Sequence, residues 1–307
     1  MKKEILLISG CFIIFSYLGY MAGTLSYEHQ AKNNTETPNL IGEIKKSNTP
    51  TDYLISKIHE PIEGKYIDSI DKKGIEELFK EIKADSVPAI FVEKIPDDFN
   101  ITSVADQTLF MKLITPHILR VNEMIMKERK IILILDEKIK NNEQLSTIEE
   151  TFLSRMIEKY DVIHLKEQTA QITELIKRVD IIPVSLGMAV AIWATNWGQK
   201  EKDSPFFEHA WDKNVQYTPI KFNKLSEATE SFALQINSRS QLSEARATRA
   251  HFRLFENPIF GQYLVYGIRN YAHFIPSFVD QLRLVYSLGY IKEMDAACFE
   301  KGCELTK

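Results

Sequence analysis

The sequence predicts a mainly α-helical protein. Apolar residues recur at helical spacing through most of the chain, glycine is scarce at 12 of 307 residues, and neither an internal repeat nor a low-complexity tract is visible. Scarce glycine disfavours collagen-like, propeller and glycine-loop folds. Hydrophobic residues make up 44% and charged residues 26%, an ordinary globular balance. A chain of this length buries a sizeable core without metal or disulfide support. The formal charge of -4 gives no electrostatic reason to expect a nucleic-acid partner.

The N-terminus comes first. Lys2 and Lys3 precede an uncharged run from Ile5 to Leu25. At about 1.5 Å per residue a helix of that length spans a hydrocarbon core of roughly 30 Å. Lysines ahead of the run, with little positive charge just after it, predict a cytoplasmic N-terminus and an exported remainder at a bacterial inner membrane. No clean A-x-A site follows, which favours an uncleaved signal anchor over 1–25; a cleaved signal peptide is the rival reading. Ile8-Ser9-Gly10-Cys11 also fits a lipoprotein site, although the apolar run before Cys11 is short and continues past it.

Residues 26–70 are polar and read as a stalk. A helical N-terminal subdomain is expected over 71–165. Ile75, Leu78, Phe79 and Ile82 begin its pattern, Ala89 to Val92 reads as a short extended piece, and a long helix starts near Asp106. Pro116 predicts a kink or a new start within it. Further helices are expected at 146–159, 167–178, 183–199, 225–238, 241–255 and 276–287. The second domain covers 166–292 and the tail 293–307. In the tail, Cys298 and Cys303 can pair in an oxidising compartment or stand as free thiols. No further ligand stands near them, so no metal site is expected, and no cofactor motif is present.

The functional evidence lies between Arg178 and Gly198. Pro183 suits the first turn of a helix. Leu186, Val190, Trp193 and Trp197 then share one face, while Gly187, Ala191 and Ala194 make a stripe without bulk. Periodicity alone describes a buried helix packed closely on both sides.

This segment resembles the catalytic helix of the bacterial glucosaminidases (mannosyl-glycoprotein endo-β-N-acetylglucosaminidase-like domains), most closely their Bax-like branch. Members carry a stretch reading roughly V-P-P-S-L-A-L-A-Q-A-A-L-E-S-G-W-G. Ile182-Pro183-Val184-Ser185-Leu186 matches its start and Trp197-Gly198 its end, without a gap. The likeness extends over about 87–291. Upstream it includes Val87-Pro88, Ile95 to Asp98, and Phe110, Leu113, Pro116, Leu119, Asn122, Glu123 and Arg129. Downstream it includes Phe222, Ser226, Ala228 and Phe232, then Asn237, Arg246, Arg249 and Ala250 in the place of N-x-x-x-x-Y-x-x-x-R-x-x-R-A, with Leu242 at the tyrosine. Tyr266 to Ile268 and Tyr271 to Val279 resemble the closing pattern.

The resemblance implies a lysozyme-like helical fold with a cleft, and hydrolysis of the β-1,4 bond after N-acetylglucosamine in peptidoglycan. That chemistry needs a carboxylic acid beside the glycosidic oxygen. The family's glutamate falls on Ala194, and a methyl group cannot donate a proton. The family's N-x-L-F-G-x-W is replaced by Phe206 to Trp211, and only a short connection to Phe222 stands in for its cleft-lining β-hairpin. Glu201, Asp203, Glu208 and Asp212 follow the helix, and Glu208 is the best substitute acid; it reads otherwise as a solvated loop residue. Asn196, Trp197 and Trp211 are the candidate sugar-binding residues, whereas Trp193 reads as core. Arg246, Arg249 and Arg253 form a basic stripe that either meets peptidoglycan carboxylates or is solvated or paired within the chain.

Three functions fit: an inactive, envelope-anchored glucosaminidase-like domain that binds peptidoglycan or an envelope protein; a hydrolase using a displaced acid; and a helical interaction domain without glycan affinity. The sequence has no G-x-S-x-G, H-E-x-x-H, Walker or dinucleotide motif, and its seven histidines are scattered.

Overall fold

The longest element, α3 (Val104–Lys140), organises the protein. In the computed structural model, residues 49–80, 87–211, 217–272 and 275–299 are described. Ser103 caps α3 by accepting the Asp106 amide, and Asp106 accepts in return from Thr102 and Ser103 and pairs with Lys72. The Lys72 ammonium and these donors, against a smaller opposing effect of burial, hold the Asp106 carboxyl well below the usual carboxylate range. Leu109, Phe110, Leu113, Ile114 and Ile118 turn one side of the helix into core. Pro116 lies inside one continuous helix, so the new start that was one of its two expected effects does not occur. Proline removes one N–H and crowds one carbonyl, and a helix packed on several sides can absorb that cost of about 3 kcal/mol.

Before α3 come α1 (Pro50–Lys57), β1 (Lys65–Ile67), α2 (Lys72–Phe79) and β2 (Ile90–Val92). The segment 50–70, read as the end of a stalk, is therefore folded. Thr49 and Asp52 form a capping box at α1, and Ile55 and Ile58 are buried. β1 and β2 run parallel with Tyr66 opposite Phe91. Asp71 caps α2, which buries Ile75 and Phe79 at i and i+4.

After α3 follow α4 (Thr147–Lys159), α5 (Gln168–Arg178), α6 (Val184–Thr195), α7 (Leu225–Ser238), α8 (Ser243–Leu254), α9 (Phe278–Tyr286) and the short α10 (Tyr290–Glu293). Ser146 and Glu149 form the capping box of α4, and the Ser146 hydroxyl also donates to Asp52, 2.7 Å away. α3 packs against α5, α6 and α7, so no structural boundary falls at 165. α6 is the central helix. Only Trp193 on it is not fully buried. A side chain at Gly187 would begin 2.8 Å from the Ile118 methyl, so the small-residue stripe allows α6 to lie close against α3.

The chain divides into two units, 48–208 with 219–307, and 1–47 with 209–218. In the second unit the described residues include β3 (His209–Trp211), which forms a two-stranded sheet with β4 (Tyr217–Pro219). This strand pair corrects the expectation of a plain connection to Phe222; each strand is only three residues long and leaves no clear alternating pattern. No helix among the described residues is long and apolar enough to cross a membrane, and the run 5–25 lies outside the described residues.

Candidate functional site

The segment between α5 and α6 is non-helical, so its buried backbone groups need partners from elsewhere. Polar side chains of three helices supply them. The Asn122 amide grips Ile182 twice, donating to its carbonyl at 2.7 Å and accepting from its N–H at 2.8 Å. Asn237 donates to the Asp180 carbonyl, and Arg129 donates to those of Ile176 and Val179. Arg249, 1% exposed, donates to the carbonyls of Lys177, Arg178, Asp180 and Ile181. These last belong to the C-terminal end of α5 and the turn beyond it, where a cation also offsets the helix dipole.

Asp180 is the counter-charge. Arg253 meets its carboxylate at 2.8 and 3.1 Å, and Arg129 stands 3.8 Å away. Burial pushes the Asp180 carboxyl up, but the hydrogen bond from Arg253 and the charges of Arg249 and Arg129 outweigh it and hold the group below the usual range. Arg246 similarly donates to the carbonyls of Ile236, in the last turn of α7, and Arg239, just beyond it. The expected stripe of Arg246, Arg249 and Arg253 is thus an internal clamp rather than a solvated face.

The start of α6 has no cap from its own sequence neighbours. Asp295 provides one. Its Oδ1 accepts the Ser185 N–H at 2.8 Å, and its Oδ2 accepts the Ser185 hydroxyl at 2.7 Å and the Gly261 N–H at 2.8 Å. The Tyr286 hydroxyl lies 3.0 Å from Ser185 Oγ. Burial raises the Asp295 pKa, and these three donors oppose the rise. A methyl group on Gly261 would sit 2.8 Å from the Leu186 nitrogen and closer still to the Ser185 and Tyr286 oxygens. Gly261→Ala is expected to cost about 2–3 kcal/mol of stability by forcing this cluster apart, read by urea denaturation; an unchanged midpoint would show that the loop moves freely.

Beside this capped end opens a cavity of about 1300 Å3. α3 contributes Leu119, Asn122, Glu123 and Met126, the entry to α6 contributes residues 181–184, α8 and the turn after it contribute Arg253 and 256–260, and the rest comes from 62–64, 88–89 and 295–299. Its lining was not foreseen, because it gathers six stretches distant in sequence.

The predicted site lies at the opposite end of α6. Ala194 is 4% exposed. The helix ends at Thr195, four residues earlier than expected, because Asn196, Trp197 and Gly198 take φ of 47°, 63° and 78°. The Thr195 hydroxyl accepts the Gly198 N–H at 2.8 Å and fixes this left-handed turn. Asn196 is exposed and donates to Gln199 at 2.6 Å. Trp197 is half-buried with its ring edge-on to Phe110, and Trp193 packs edge-on to Phe207 and Phe278. Glu208 is 3% exposed and accepts from the Ser231 hydroxyl at 2.7 Å, so it is not a solvated loop acid. Glu201 is exposed, and Asp203, also exposed, stands 3.9 Å from Lys221. Trp211 lies in β3, its side chain outside the described residues, as is Asp212.

A second cavity, about 120 Å3, lies beside Glu93, Lys202 and Phe222. Neither cavity is lined by Ala194, Asn196, Trp197 or Glu208. Cys298 is disulfide-bonded, and Cys303 lies outside the described residues. Among the described residues no cluster of three or more His, Cys, Asp or Glu is gathered for a metal ion. Comparison with protein-family models, with curated proteins and with solved structures finds no match for the chain.

Proposed function

We propose that the chain is a non-catalytic glucosaminidase-like domain, held at the bacterial inner membrane through residues 5–25 and serving there as a binding scaffold for peptidoglycan or an envelope protein. One observation carries this reading: the position of the family's acid bears the methyl of Ala194, 4% exposed within α6. General acid catalysis is worth roughly 10²–10⁴-fold in rate, and that contribution is missing. The substitute acid, Glu208, is enclosed and engaged by Ser231. The residues that carry the resemblance and are matched here, Asn237, Arg246 and Arg249, are spent on backbone carbonyls. A lineage that keeps these and drops the acid retains a scaffold rather than a reaction.

Zymography and sedimentation with insoluble peptidoglycan, on the full chain, test the proposal. Pelleting without clearing of the gel is expected. Clearing overturns the non-catalytic reading, and failure to pellet leaves an envelope protein as the ligand. Ala194→Glu is expected to restore no clearing. It is also expected to destabilise the domain by about 2–4 kcal/mol, since it forces a carboxyl into a closed helix face. Recovered activity in that variant would mean the space beside residue 194 admits a sugar.

A further inference from the structure

The larger cavity has a chemistry of its own. Its apolar surface comes from Leu119, Met126, Ile182 and Ile259, and continues outward through Phe260, 39% exposed, to Tyr263, 54% exposed, whose ring lies 6.2 Å from that of Phe260. Around it stand Glu63, Glu123, Glu256 and Asp295. Among the described residues Glu63, Glu123 and Glu256 have no ion-pair partner. Arg253, the one basic residue among the described residues of the lining, is committed to Asp180. An apolar groove with unmatched carboxylates favours an apolar ligand with positive charge. At about 1300 Å3 it exceeds the ~300–1000 Å3 of ordinary small-molecule sites, which points to an extended ligand.

We propose that this groove docks an apolar segment of a partner polypeptide carrying lysine or arginine, with Glu123 and Glu256 receiving the charge and Phe260 covering the apolar side chains. The inference rests on the binding-scaffold reading above and names the chemistry of its protein partner. Glu123 projects from α3 and Glu256 from the turn that ends α8, so the two charges approach a bound segment from separate elements. Asp295 is already occupied by Ser185 and Gly261, and contributes field rather than a direct contact.

Fluorescence anisotropy on the full chain, with a labelled leucine- and alanine-rich peptide bearing two lysines, tests this. The same peptide with glutamates in place of the lysines is the control. The wild-type protein is expected to prefer the lysine peptide by roughly tenfold or more, the equivalent of about 1.4 kcal/mol. Glu123→Gln with Glu256→Gln should abolish the preference, and Glu123→Lys with Glu256→Lys should invert it; circular dichroism checks that both pairs fold. The proposal is overturned if wild-type protein binds both peptides equally or neither, or if the preference survives in a folded double variant. Peptidoglycan sedimentation of the same preparations reads the earlier proposal separately. Pelleting without a peptide preference overturns only the groove assignment, whereas a peptide preference without pelleting supports the groove and removes the glycan.

Discussion

Replacing Arg249 with methionine is expected to cost about 3–5 kcal/mol of folding free energy, measured by urea denaturation of the full chain. The guanidinium is buried and donates to four backbone carbonyls at the end of α5 and the turn into α6. Burial pulls its pKa down only to about 10, so it is charged at neutral pH. Removing one member of a buried charged network leaves its partners desolvated and unmatched, which is the costly direction of such a change. Arg249→Lys keeps the charge but loses the planar fork, and should recover only part of the loss. A loss below about 1 kcal/mol for Arg249→Met would show that Asn122, Asn237 and Arg129 hold the turn without it.

Acid is expected to destabilise the protein through His117. This residue, in α3, is fully enclosed, with Nε2 donating to the Val92 carbonyl at 2.9 Å and no hydrogen-bond partner for Nδ1 among the described residues. Burial pushes its pKa from 6.5 down to about 4; Arg120 adds to the fall, while the Val92 carbonyl and Glu93 oppose it. The unfolded chain therefore takes up a proton as pH drops through 6.5, whereas the folded chain stays neutral until about 4. Stability present above pH 6.5 is lost between those values, by about 3 kcal/mol in total. His117→Leu removes this titration. Between pH 7 and pH 4 the unfolding free energy of the wild type should fall by about 3 kcal/mol more than that of the variant. Parallel curves would mean that carboxylates alone carry the acid sensitivity.

The helices were legible because their signals are local. Ser146 with Glu149 announces α4, and Ile75 with Phe79 announces the buried face of α2. The end of α6 was misjudged because a left-handed tryptophan is rare, so Trp197 read as another helical position. The arginine stripe was legible, with pairing inside the chain among its readings, but its partners were not. Charged residues usually sit outside, and nothing in the spacing of Arg246, Arg249 and Arg253 says that carbonyls of α5 and α7 lie within reach. That Ala194 takes the place of the family's acid is an expectation of the resemblance alone, whereas its burial depends on packing that the sequence does not display. The groove was illegible in principle, since Glu63, Glu123 and Glu256 share no element and no period.

Ser185 receives its cap from Asp295, 110 positions later in the chain. During synthesis at about 5–20 residues per second, that separation keeps the two apart for roughly 5–20 s. Throughout this interval the central helix exists with an open amino end. A chain truncated just before position 295, after α10 has ended at Glu293, would therefore have every described helix encoded but its middle unfastened, a natural substrate for quality-control proteases.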